Sequence, residues 1–97
     1  GIEDEDILKP ENKQLTLSIF PNPAGRDFSV SVKDEKTTIS RLEVFSITGE
    51  RVFVTMESFL DEGVKSILVN SSRWAAGTYL VRAFTPNGTL FGKVIIN

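Results

Sequence analysis

The sequence predicts an all-β fold, a single seven-stranded antiparallel β-sandwich of immunoglobulin-like architecture. Three observations predict it. Apolar residues recur with period two from Leu15 onward, and turn signals separate the runs at about 8–12-residue intervals. No stretch carries the apolar stripe of an amphipathic helix. At 97 residues the chain has the length of one domain. A domain of this size buries roughly 60–65 % of its unfolded surface, which allows a modest cooperative core.

Residues 1–14 read as an acidic flexible linker, and 15–97 as the folded domain. The leader sets Glu3, Asp4, Glu5, Asp6 and Glu11 against Lys9 and Lys13, a net charge of −3. Beyond Ile7 and Leu8 it has little apolar periodicity to offset the entropy lost on ordering. It also lacks the apolar segment of a signal peptide. The first strand follows, with Leu15, Leu17 and Ile19 alternating with Thr16 and Ser18. Pro21 and Pro23 lack backbone donors, so Pro21-Asn22-Pro23-Ala24-Gly25 is expected as a turn or an edge crossing. Phe28, Val30 and Val32 mark the second strand, and Leu42 and Val44, flanking Glu43, the third. Thr48-Gly49 supplies a turn, after which Val52, Val54 and Met56 flank Phe53 and Thr55 in a fourth run. Residues 57–63 and 70–77 read as loops, and 64–69, 79–84 and 90–96 as the last three strands. The Asn-Gly of Pro86-Asn87-Gly88-Thr89 is a strong hairpin signal between the final two.

Composition excludes several kinds of chemistry. The chain has no Cys, hence no disulfide, thiolate metal site or thiol nucleophile. It has no His, the commonest general base and metal ligand, so triad and zinc enzymes are ruled out. The overall charge of −2 resides in the leader; the remaining residues carry eight acids and nine bases. A nearly neutral body without a basic stripe argues against nucleic acid as partner. No apolar run approaches the ~20 residues of a transmembrane helix. Glu43 and Glu50 lie on opposite arms of the Thr48-Gly49 hairpin, but both fall where outward, solvated side chains belong. Asp61-Glu62 lacks the spaced oxygens of a calcium loop. No glycine loop of phosphate-binding type occurs, and no cofactor is expected. The residues read as those of a recognition domain, not an enzyme.

A small sandwich recognises partners through end loops, sheet faces or unpaired strand edges. Trp74, in a loop before a strand, is expected to plug one end of the sandwich, with a sugar-stacking platform as the alternative. An accessory fibronectin-like or carbohydrate-binding module would place Trp74 and Phe45 or Phe53 together on an exposed face. The last run, Phe91-Gly92-Lys93-Val94-Ile95-Ile96-Asn97, has no proline or dense charge to protect its edge, which leaves pairing with a partner or a second copy open.

Four stretches, in order, resemble the C-terminal sorting domain of type IX secretion substrates from Bacteroidetes. They are Phe20-Pro21-Asn22-Pro23; Leu42-Glu43-Val44-Phe45-Ser46-Ile47-Thr48-Gly49-Glu50-Arg51-Val52; Trp74-Ala75-Ala76-Gly77-Thr78-Tyr79-Leu80-Val81-Arg82; and Gly92-Lys93-Val94-Ile95-Ile96-Asn97. Two places depart from the family habit: Ala75-Ala76 stands before Gly77 where the family often has Leu-Pro before Ala-Gly, and Asn97 where a Lys, Arg or other polar residue is common. The resemblance implies a non-enzymatic secretion and surface-sorting signal at the end of a larger cargo. It implies as partners the type IX translocon, an outer-membrane shuttle protein and a sortase that removes the domain. Export through the periplasm and outer membrane to the cell surface or medium is then expected. On this reading Gly92, Lys93, Val94, Ile95, Ile96 and Asn97 form the recognition strand. Pro21, Asn22, Pro23, Gly49, Gly77 and Tyr79 are its structural motif residues, and the cut falls in the leader.

Overall fold

The computed structural model describes residues 15–34, 36–55 and 62–97. The expected linker at 1–14, Met56 of the fourth run and most of the loop at 57–63 lie outside the described residues. Among those described there are seven strands and no helix: β1 (Leu17–Phe20), β2 (Asp27–Val32), β3 (Arg41–Ser46), β4 (Arg51–Val54), β5 (Ser66–Asn70), β6 (Gly77–Thr85) and β7 (Gly88–Ile96). They form two antiparallel sheets, ordered β1-β2-β5 and β4-β3-β6-β7. The fold is the all-β sandwich that the alternation predicts.

The alternation also determines which side chains meet between the sheets. Phe28, Val30 and Val32 of β2, with Val69 of β5, face Leu42, Val44, Val81, Ala83, Val94 and Ile96 of the other sheet, and all are buried. Burying side chains of this size contributes roughly 1.5–3 kcal/mol each, the main term holding the sheets together. Trp74 packs against this core from the loop at 71–76, its ring 5.9 Å from Phe28 and 5.0 Å from Tyr79. Tyr79 is buried, and its hydroxyl donates to the Ala75 carbonyl at 2.6 Å, tying the same loop down. The tryptophan closes one end of the sandwich, as the plug reading expects. It does not share a face with Phe45 or Phe53, so the aromatic platform of a sugar-binding module is not formed.

Three local expectations need correcting. Phe45 pairs with Arg51 and Val44 with Phe53, so a bulge leaves Val52 unpaired; both Val52 and Phe53 pack on the core. The extra residue re-phases the strand and turns Val54 to the position opposite Glu43. In the last hairpin Thr85 pairs with Gly88, making Pro86-Asn87 the central pair instead of Asn87-Gly88. Proline's fixed φ suits the first central position of a turn. Val64 forms an isolated bridge to Ile39, with β5 beginning only at Ser66. Gly49 and Gly77, by contrast, have φ of +96° and +150°, conformations that residues with a Cβ resist.

Candidate functional site

β7 is an edge strand, yet half of its outer edge is covered. The segment Phe20-Pro21-Asn22-Pro23-Ala24 leaves the other sheet and crosses alongside it; both X–Pro bonds are cis. The Asn22 side chain acts as a substitute strand. Its Nδ2 donates to the Lys93 carbonyl at 2.9 Å, and its Oδ1 accepts from the Ile95 amide at 3.0 Å. Ala24 continues the pairing: its amide donates to the Ile95 carbonyl at 2.7 Å, and its carbonyl accepts from the Asn97 amide at 2.9 Å. This is a short parallel bridge to Ile96. The unprotected edge expected from the sequence is therefore closed from Lys93 to Asn97, because the protection is supplied by residues some seventy positions away.

The clamp divides the expected recognition strand by burial. Val94 and Ile96 point into the core. Gly92 sits beneath β1, where an added Cβ would lie 2.9 Å from Ile19 Cδ1 and 3.3 Å from Leu17 Cδ1. Lys93, Ile95 and Asn97 are exposed. Pro21, Asn22 and Pro23 are joined to this strand, Tyr79 lies opposite Val94 on β6, and Gly77 lies opposite Ile96. Gly49 lies apart from the clamp, in the β3–β4 turn.

The outward face of the four-stranded sheet holds a second constellation, missed from the sequence. Glu43 faces outward as expected, but it is only 3 % exposed. Three arginines cover it. Arg82 donates from Nε and Nη2 to Oε1 at 2.8 and 2.5 Å. Arg41 donates from Nε and Nη2 to Oε2 at 3.3 and 3.1 Å, and Arg51 from Nη1 to the same oxygen at 3.1 Å. Desolvation pushes the Glu43 carboxyl pKa up, but the hydrogen bonds and charges of Arg82 and then Arg41 outweigh it, so the pKa is held below its ordinary value. The Arg82 guanidinium also lies over the rings of Phe45 and Phe84, at 5.1 and 5.4 Å from their centroids. Arg41 and Glu43 share a face by their i, i+2 spacing, which the sequence does reveal. Arg82 reaches them only through the pairing of β3 with β6, which it does not.

Both oxygens of the Glu43 carboxylate are held by guanidinium groups. Among the described residues no group of three or more His, Cys, Asp or Glu could hold a metal ion, and no helix is long and apolar enough to cross a membrane. Comparison with known families matches residues 18–97 to the secretion system C-terminal sorting domain. The chain belongs to that family. No curated protein matches it. A sorting domain of the type IX secretion system is non-catalytic, engages the secretion machinery, and directs export to the cell surface or extracellular space. The match includes both the Pro21–Pro23 turn and the strand it clamps.

Proposed function

We propose that this domain is the removable address of a larger secreted cargo, read at the outer membrane through the segment from Gly92 to Asn97. A translocon-associated shuttle protein would bind it, and a sortase would cut in residues 1–14, the acidic stretch ahead of Leu15. The observation that carries the reading is the joining of the Asn22 turn to the last strand, which holds Lys93, Ile95 and Asn97 outward in one fixed array. A rigid array loses little entropy on binding, as a recognition element requires.

The test is a reporter fused ahead of residue 1 and expressed in cells with a type IX system. The reporter should reach the cell surface or medium, and terminal sequencing of the released form should locate the cut before Leu15. Removing residues 92–97 also removes Val94 and Ile96 from the core, so it is paired with Lys93→Glu, a change at an exposed position. Both should retain the reporter inside the cell. Wild-type export of the truncated fusion would overturn the reading.

A further inference from the structure

We propose that the outward face of the four-stranded sheet, centred on Phe45, Leu80 and Phe91, is a docking surface for an apolar side chain flanked by carboxylates on a protein of the export machinery. The inference rests on the sorting reading above and names the face and chemistry by which the domain is held.

Strand addition is the usual way to read an edge strand, through main-chain hydrogen bonds. Here the Lys93 carbonyl, both polar groups of Ile95 and the Asn97 amide are already bonded to Asn22 and Ala24. A partner pairing along this stretch would have to displace four hydrogen bonds. Side chains remain available, and the register gathers them on one face. Leu80 lies opposite Lys93, and Arg82 opposite Phe91; Leu80 in turn adjoins Phe45 on β3. Phe91 is 70 % exposed and Ile95 is 41 % exposed. Phe45, Leu80 and Phe91, with Ile47 at the lip, line a concavity of about 310 Å³. That volume suits a protruding side chain better than a flat surface.

Charge selects the occupant. Among the described residues Arg51 and Arg82 converge on the carboxylate of Glu43, and Lys93 stands on the same face. The side chains of Arg51 and Arg82 are 48 % and 39 % exposed, and each keeps N–H donors that Glu43 does not use. An apolar hollow rimmed by surplus cations complements a residue with acidic neighbours. A second copy docked face to face would set these cations against each other.

The reporter fusion tests this with Leu80→Ser/Phe91→Ser, two exposed positions, and with Leu68→Ser on the opposite sheet, itself 67 % exposed. The double variant should melt as the wild type does and lose surface reporter by more than about tenfold, as expected for central apolar anchors. Leu68→Ser should export normally. Export of the double variant at the wild-type level would overturn the docking face while leaving the sorting reading intact. Retention of the wild-type fusion would overturn both. Binding of the isolated chain to phosphatidylglycerol vesicles that Leu80→Ser/Phe91→Ser abolishes would assign the face to lipid, against the proposal. A dimer in sedimentation that the same change dissociates would assign it to a second copy, also against it.

Discussion

Asn22 joins parts of the chain 71 and 73 residues apart through one amide group, donating to Lys93 and accepting from Ile95. An Asn is suited to this because its amide offers a donor and an acceptor side by side, as a strand backbone does. Asn22→Ala removes both bonds and leaves the groups to solvent at an exposed edge. The expected loss is about 2 kcal/mol, near 1 for each bond, read by urea denaturation. The opened edge should also raise self-association, measured by sedimentation; an unchanged monomer would show that Ala24 alone protects the strand. Glu43 is the other residue on which many contacts converge. Glu43→Gln keeps the shape but removes the negative charge on which three guanidinium groups converge. Because those arginines are partly exposed, the expected loss is about 3 kcal/mol, the low end for breaking a buried ion pair.

Among the elements, β7 carries the greatest number of simultaneous constraints. Its residues pair with β6 on one edge, meet the Asn22 clamp on the other, send Val94 and Ile96 inward and pass under β1 at Gly92. Gly92→Ala should be tolerated, since the nearest atom is the far end of the Ile19 side chain and can yield. Gly92→Val should not. Its added methyls would push β1 from β7 at a cost of about 1–3 kcal/mol, visible as a lowered midpoint in thermal melts. Equal melts for the two variants would show that β1 moves freely on the sheet. The strands themselves were legible because period two places alternate side chains on opposite faces, as in Phe28, Val30 and Val32. The bulge at Val52 was not, since one inserted residue inverts the phase without leaving a mark in composition. Pro86 shifted the last turn by one position for an equally local reason, its fixed φ.

Acid should weaken the whole molecule through two carboxylates. Desolvation raises the Glu43 pKa, and its arginines lower it further than burial lifts it, to below its ordinary 4.5. Asp34 is lowered by the Thr37 hydroxyl and amide bonds. A carboxyl whose folded pKa lies below its unfolded value contributes fully above the unfolded pKa and loses that contribution as pH falls through the folded one. Melting temperature should therefore hold from pH 7 to about pH 4.5 and drop below it, with a shallower drop in Glu43→Gln. Parallel curves for the two proteins would exclude Glu43 as a source.

By itself the sequence determined the sandwich, most of its strands and the absence of thiol and imidazole chemistry, because alternation and composition act residue by residue along the chain. Pro21-Asn22-Pro23 and the run from Gly92 were also among the four stretches that carry the resemblance to sorting domains. Only the tertiary structure decided that these two stretches are hydrogen-bonded side by side. It also decided that Val94 and Ile96 are hidden while Lys93, Ile95 and Asn97 are not, and that Glu43 is sealed by arginines from three strands. These are pairings between residues about forty to seventy positions apart, or across a bulged hairpin. No local pattern encodes them, because they depend on which strands lie side by side.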